Sequence, residues 1–135
     1  LLPVLKLEKF RKSYPHQLSG GMRQRAALGQ ILMLRPKLLL LDEPFGALDA
    51  LTRDQLNVEL LRLWQEMHQT VVLITHSIAE AVFLSDRVLV MSERPGHVIK
   101  DLRIDLPRPR DPRTTKESPD FGHYVVELGH LMGVA

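Results

Sequence analysis

An apolar run that ends in two carboxylates limits the folds open to this chain. Residues 38–41 are four consecutive leucines, and Asp42, Glu43 and Pro44 follow at once. Four apolar residues are too few for a helix or a membrane span, and an unbroken run of this length is typical of a strand buried on both faces. Such strands belong to parallel sheets, so the run predicts a parallel β-sheet.

Asp42 and Glu43 are expected at the carboxyl end of this strand. In parallel α/β sheets, ligands sit outside that edge. Two adjacent carboxylates there can act differently, one holding a hydrated cation and the other accepting a proton from water. On these residues alone, capping of a strand before a turn is an equally good interpretation.

A second candidate site lies upstream, at Ser19, Gly20 and Gly21. Ser19 is placed as the N-cap of a helix that runs to about Leu34. A serine hydroxyl, two glycines that allow close backbone approach and free N–H groups at a helix N-terminus all favour phosphate. Taken alone, the pattern is more often an ordinary capped helix.

A second buried strand is predicted at residues 71–75, where β-branched residues dominate, and His76 stands at its end. Between the two strands, Asp49 is a candidate N-cap for a long helix, with Trp64 packed beside its core stripe. The core stripe is expected to be Leu56, Leu60, Leu63 and Met67. The solvated face is expected to be Arg53, Asp54, Glu59, Arg62 and Glu66.

The rest of the chain gives a coarser prediction. Three prolines between residues 106 and 112 exclude a helix or a central strand and predict an extended surface segment. The other expected elements are a helix over 1–12, a short helix over 78–84, a hairpin of strands 87–91 and 97–104, and a last helix over 116–132.

Composition excludes several classes of protein. The chain has 135 residues and no cysteine, which rules out disulfides and zinc–thiolate sites. No apolar run approaches the length of a transmembrane helix. The formal net charge is only +2, so composition gives no strong case for nucleic-acid binding.

Taken together, three motifs resemble those of the ATP-binding-cassette (ABC) ATPases. Leu18-Ser19-Gly20-Gly21 is similar to the signature motif, and the leucine run with Asp42 and Glu43 is similar to Walker B with its catalytic glutamate. Ala47-Leu48-Asp49 resembles the D-loop, and Thr75-His76 resembles the H-loop. Their order and spacing are those of the family.

The resemblance implies an ATPase that uses Mg²⁺ and ATP on an α/β, P-loop NTPase fold with helices flanking a parallel sheet. It implies that Asp42 reaches Mg²⁺ through water, that Glu43 is the general base, and that His76 bonds the γ-phosphate. The Asp42-Glu43 pair and His76 each follow a strand of this sheet. Both are therefore expected on the same edge of the sheet.

The resemblance also implies a dimer with two shared ATP sites. Ser19, Gly20 and Gly21 would cover the γ-phosphate of ATP held by the partner domain, and Asp49 would lie in the loop that couples the two sites. Met22 stands where the family often has glutamine.

Three segments resemble the ATPase subunits of bacterial importers for nitrate, sulfonate and taurine, namely residues 14–17, residues 44–49 and the segment over 106–112. This implies membrane permease subunits as partners, a separate solute-binding protein that delivers the solute, and a peripheral position on the cytoplasmic face of the membrane. An ABC ATPase acting on nucleic acid is a weaker alternative because the charge is near neutral.

The P-loop motif Gly-x-x-x-x-Gly-Lys-[Ser/Thr] does not occur in these 135 residues, and none of the six lysines follows a glycine. The resemblance therefore covers the second half of an ABC domain. By this resemblance, the chain is expected to divide into a signature part (1–36), a core with hairpin (37–106) and a carboxy-terminal part (107–135). Either the chain is a fragment, which the Leu1 start favours, or it is a truncated product that acts as an inactive remnant or dimerisation module. A fragment is expected to expose apolar sheet surface.

Overall fold

The structure is a computed structural model that describes residues 2–46 and 48–134. Leu1, in the predicted first helix, and Ala47, in the predicted D-loop, lie outside the described residues. The chain forms two compact units, Leu1–Ile74 and Thr75–Ala135. The predicted three-part division at residues 36 and 106 stays a prediction.

The first unit alternates helices with two strands. Its elements are α1 (Leu2–Leu5), 3₁₀ turns at Glu8–Phe10 and Pro15–Gln17, α2 (Gly20–Met33), β1 (Leu38–Asp42), α3 (Ala50–Met67) and β2 (Thr70–Ile74).

The predicted helix over residues 1–12 is wrong. Helix α1 ends at Leu5 because Lys6 adopts a left-handed backbone conformation, with φ of 57°, which a right-handed helix cannot continue through. The Lys6 ammonium lies 2.9 Å from a carboxylate oxygen of Glu59. A contact between residues so far apart in the chain is not visible in a local pattern.

Both predicted N-caps are confirmed. The Ser19 hydroxyl accepts a hydrogen bond from the backbone N–H of Met22 at 3.2 Å, and Asp49 Oδ1 accepts one from Thr52 at 2.9 Å. Each satisfies an N–H that has no partner within its own helix. Helix α3 ends at Met67, where His68 turns left-handed with φ of 48°.

The two strands of the first unit are parallel, as predicted. In their register Leu38 lies opposite Thr70 and Asp42 lies opposite Ile74. The prediction that β1 is buried on both faces is wrong, because its burial alternates along the strand. Leu39 and Leu41 are buried, whereas Leu38 and Leu40 are 51% and 68% exposed.

On the helix between the strands, the predicted stripe is largely confirmed, since Leu56, Leu60 and Leu63 are buried. The predicted solvated face is wrong at Glu59, which is only 7% exposed. Its carboxylate binds Arg62 Nη2 at 2.8 Å as well as Lys6, and this pairing compensates its burial.

The second unit contains α4 (Ile78–Leu84), β3 (Arg87–Met91), β4 (Val98–Arg103) and α5 (Pro119–Leu131). Strands β3 and β4 form the predicted antiparallel hairpin, and α4 contacts α5. Helix α5 begins later than predicted because Ser118 caps it, accepting a hydrogen bond from Phe121 N–H at 3.3 Å.

The segment over 106–112 has no helix or strand, as predicted, but it is not wholly on the surface. Leu106 and Arg110 are both 6% exposed. Among the helices of the described residues, none is long and apolar enough to cross a membrane.

Candidate functional site

Asp42 and Glu43 are placed where a parallel strand delivers them to solvent. Both are exposed, at the carboxyl end of β1. The Glu43 backbone N–H donates to the carbonyl oxygen of Ile74 at 2.8 Å, which extends the pairing of β1 with β2 by one residue. The two carboxylates are thus fixed at the sheet edge that suits ligand binding in α/β proteins.

Glu43 is held in a strained backbone conformation. Its φ is +45°, in the left-handed region that non-glycine residues seldom occupy and that costs about 1–3 kcal/mol. Its carbonyl accepts a hydrogen bond from Gly46 N–H at 3.3 Å, closing a tight turn. Strain of this kind clusters at functional sites, where the fold holds a side chain in a set direction.

The loop after Glu43 is held by Arg53, which was expected on the solvated face of α3. Arg53 Nη2 donates to the carbonyl of Leu48 at 3.0 Å, and its Nε donates to that of Phe45 at 3.4 Å. That expectation is wrong, since Arg53 is only half-exposed and binds the described part of the loop. The position of Arg53 in the sequence pattern is that of an ordinary surface residue, so the pattern does not predict its bonds to the loop.

Ser19, Gly20 and Gly21 form the N-terminus of α2, as predicted. Helix α2 begins at Gly20, and the Ser19 oxygen accepts from the Met22 N–H. A hydroxyl that accepts in this way keeps its own proton for donation, so Ser19 can still bind a phosphate oxygen. The helix N-terminus adds partial positive charge.

The structure brings this helix start to the beginning of α3. A Cβ atom added to Gly21 would lie 3.1 Å from the side-chain methyl of Thr52, closer than such contacts ordinarily allow. Thr52 in turn donates through its hydroxyl to Asp49 Oδ2 at 2.7 Å. The signature-like and D-loop-like segments therefore meet through Thr52, a residue that sequence reasoning did not single out.

Asp49 is exposed, and its pKa is lowered below the ordinary value of 3.8. The largest cause is the hydrogen bond from the Thr52 backbone, followed by that from the Thr52 hydroxyl. Both favour the ionised carboxylate. The N-cap is consequently charged at neutral pH.

His76 belongs to the second unit. It is exposed and immediately precedes α4, whose N-cap Ser77 accepts a hydrogen bond from Glu80 N–H at 3.3 Å. The backbone N–H of Ser77 donates to the Thr75 hydroxyl at 3.0 Å. These bonds fix the connection that carries His76, while its expected meeting with Glu43 stays a prediction.

The donor set fits a magnesium ion bound largely through water and phosphate. Mg²⁺ favours carboxylate oxygens and retains several waters, and Asp42 offers an exposed carboxylate at the strand end. Within residues 2–46 and 48–134, no group of three or more acidic, histidine or cysteine side chains could hold a metal by itself.

The second unit also has an open cleft of about 750 Å³ beside its hairpin, and none of the predicted site residues lines it. Charged side chains on its wall pair with one another. Arg87 Nε lies 2.8 Å from Asp101 Oδ1, and Arg108 Nη2 lies 2.8 Å from Asp86 Oδ1. These pairs leave the cleft walls electrostatically balanced.

Comparison with known sequences points to one family. A family model described as ABC transporter matches residues 1–46. Three relatives are import ATP-binding proteins. They are those for nitrate from Synechocystis (42% identical over 97% of the chain and 51% of the relative), taurine from Roseobacter denitrificans (46%, over 98% and 50%) and aliphatic sulfonates from Bacillus cereus (48%, over 79% and 43%).

A solved structure agrees in fold. It is a dimeric, post-hydrolysis state of an ATP-binding cassette bound to ADP and phosphate, with a TM-score of 0.61 and 34% sequence identity. The similarity covers 76% of this chain and 45% of that one. The chain therefore spans about half the length of the relatives that it matches.

Proposed function

We propose that this chain supplies the hydrolytic and partner-facing half of an ABC transporter ATPase. The chain is a homologue of ABC transporter ATP-binding proteins of the nitrate, sulfonate and taurine import type. It has the α/β fold of part of an ABC ATPase. The single observation that carries the proposal is the placement of Glu43. Its carboxylate is exposed at the end of a parallel strand, on a strained backbone tied to the neighbouring strand. The proposal commits to ATP hydrolysis by a complete domain that includes this chain.

In this proposal Glu43 accepts a proton from the water that attacks the γ-phosphate. Asp42, one residue earlier, would hold Mg²⁺ through water, and the ion would neutralise charge on the phosphates. The imidazole of His76 would bind the γ-phosphate and keep the attacking water in line with Glu43. The exposure of all three side chains supports access to a bound nucleotide.

The partner-facing function is assigned to the start of α2. The Ser19 hydroxyl and the free N–H groups at Gly20 and Gly21 would close over the γ-phosphate of ATP held by a second ATPase domain. The contact of Gly21 with Thr52, and of Thr52 with Asp49, supports coupling between this helix and the loop after Glu43. The further partners proposed are permease subunits and, through them, a solute-binding protein.

Substitution of Glu43 in the complete protein that contains this chain tests the proposal. Glu43→Gln keeps the side-chain shape and removes the base, so ATP turnover should fall by about 10²–10⁴-fold, with ATP affinity retained. Glu66→Gln, an exposed glutamate on α3, is the matched control and should leave turnover unchanged. Wild-type turnover in Glu43→Gln would exclude Glu43 as the general base.

A rival proposal is an inactive remnant or dimerisation module, which stays open because these 135 residues contain no P-loop motif. The intact mass of the native protein separates the two proposals. A mass well above 15.4 kDa supports the ATPase, and a mass near 15.4 kDa supports the rival.

A further inference from the structure

The carboxyl end of α4 is held by arginine side chains. The last carbonyl groups of a helix have no partner within it and need donors from elsewhere. Here Arg108 and Arg110, separated by one proline, supply those donors from the extended segment that follows the hairpin. The accepting carbonyl oxygens are those of Val82, Phe83, Leu84 and Ser85.

Arg110 makes the larger share of these contacts. Its Nη1 donates to Ser85 at 2.7 Å, to Phe83 at 3.1 Å and to Val82 at 3.2 Å. Arg108 adds a bond from Nη2 to the Leu84 carbonyl at 2.8 Å. Positive charge at this end of a helix also complements the negative end of its dipole.

The same guanidinium connects α4 to the chain just after β4. Arg110 Nη2 donates to the carbonyl oxygens of Ile104 at 3.4 Å and Leu106 at 3.5 Å. The Arg110 side chain has no exposed surface, and its burial lowers its pKa to about 10, so it remains charged at neutral pH. A buried charge is costly unless it is well hydrogen-bonded, which makes this arrangement specific to arginine.

The other end of α4 carries His76. The helix has seven residues and is only about 10 Å long, so its two ends move together. Its first turn is tied by Ser77 and Thr75 to the connection that contains His76. Fixing the carboxyl end of α4 therefore fixes the backbone from which His76 projects.

We propose that Arg110, assisted by Arg108, is a positioning residue for His76: it anchors α4 at its carboxyl end and thereby sets where the imidazole stands. This inference rests on the proposed function, in which His76 binds the γ-phosphate. It assigns a role in catalysis to the Arg108-Pro109-Arg110 segment, which would act on His76 through α4.

The first test compares Arg110→Met with Arg103→Met in the complete protein. Loss of positioning should lower kcat for ATP hydrolysis by about 10- to 100-fold, with a smaller effect on KM for ATP, because His76 is only one of the groups that the proposal places on the bound nucleotide. Arg103 is 85% exposed on its side chain and pairs with Asp105, so its variant should keep kcat within about twofold. Unchanged kcat in Arg110→Met overturns the proposal.

A double-mutant cycle with His76→Ala separates positioning from general destabilisation. If Arg110 acts through His76, Arg110→Met should lower kcat by less than about twofold once His76 is already alanine. An equal loss in both backgrounds means a merely structural role and overturns the inference. Wild-type turnover in His76→Ala alone would instead contradict the proposed function of the histidine.

Two further variants keep the proposal testable if Arg110→Met does not fold. Arg110→Lys keeps the charge but offers a single ammonium in place of a planar fork, so kcat should be intermediate. Arg108→Met removes the bond to the Leu84 carbonyl and the ion pair with Asp86, and its smaller loss of kcat should also vanish in the His76→Ala background. Additive losses for Arg108→Met contradict the inference.

Discussion

The two units of this chain differ in where they place backbone strain. In the described residues, every non-glycine position with a left-handed backbone lies in the first unit, and the second unit's positive-φ position is a glycine, Gly133. The strained positions are Lys6, Arg35, Glu43 and His68.

Both units leave apolar side chains of their strands exposed. In the first unit they are Leu38 and Leu40 of β1 with Val72 and Ile74 of β2, which are 51%, 68%, 48% and 56% exposed. In the second unit they are Leu89, Met91, Val98 and Ile99 of the hairpin, and this unit also buries a guanidinium against backbone carbonyl groups.

The two units accommodate different costly groups, a buried charge in the second and an apolar strand face in the first. In the second unit, the buried guanidinium of Arg110 finds carbonyl acceptors within the unit. In the first, the leucine run predicts two buried faces, and only one is buried. Exposed apolar patches often mark surfaces that another chain segment or a partner covers. We expect the part of the relatives that this chain does not span to provide that cover.

The largest expected effect compares neighbouring leucines on opposite faces of β1. Leu39→Ala should lower the free energy of unfolding of this chain by about 2–5 kcal/mol, because it opens a cavity in the core. Leu40→Ala should change it by less than about 0.5 kcal/mol, since Leu40 is exposed. Urea unfolding monitored by circular dichroism measures both.

The same pair of variants in the complete protein sharpens the comparison. If further residues cover the exposed face, Leu40→Ala should there cost as much as Leu39→Ala. A Leu40→Ala that stays neutral in the complete protein would show that this face remains bare, and the explanation for the leucine run would then be wrong.

A smaller effect tests the strain in the first unit. Glycine adopts positive φ without penalty, so Glu43→Gly should be more stable than Glu43→Gln by about 1 kcal/mol, although both lack the carboxylate. His68→Gly, at the end of α3, should gain a similar amount over the wild type.

Turnover distinguishes the two strained positions. His68→Gly should keep full ATPase activity in the complete protein, because His68 only ends a helix, whereas Glu43→Gly should lose it. A Glu43→Gly variant less stable than Glu43→Gln would show that the turn at Glu43 is not strained.

Structural features that depend on residues close together in the sequence were predicted better than features that depend on distant residues. Ser19 and Asp49 were placed as N-caps because the hydrogen bond that defines a cap spans only three residues. Strand β3 was predicted with its observed bounds, Arg87–Met91, from the local run Arg-Val-Leu-Val-Met. The predicted helix over residues 1–12 failed at Lys6, whose left-handed turn has no signature in the local pattern.

The residues that hold the candidate site in place were largely missed. Arg53 and Arg110 were assigned to the surface, since arginine usually lies there. Each instead donates to backbone carbonyl groups that only the folded chain brings near, Leu48 for Arg53 and Ser85 for Arg110. A carbonyl group belongs to every residue, so its position cannot be recognised in a sequence.

The smallest expected effect is a pH dependence in which the two units should behave alike. Asp49 in the first unit and Asp111 in the second both have a pKa lowered by backbone hydrogen bonds, mainly from Thr52 and from Thr114. Because the folded pKa is below the unfolded value of 3.8, each carboxylate contributes stability that is fully present above that value and is lost as the pH falls through the folded pKa.

Asparagine at either position separates the titration of the carboxylate from the hydrogen bonds that it accepts. Asn accepts the same N–H bonds but does not titrate, so Asp49→Asn and Asp111→Asn should unfold at nearly the wild-type urea concentration at neutral pH. At about pH 3 each should lose less stability than the wild type, by similar amounts. Because these bonds are local, they should be independent of the strain that distinguishes the units. A loss in Asp49→Asn equal to that of the wild type, with a reduced loss in Asp111→Asn, would show that the contrast between the units extends even to these local hydrogen bonds.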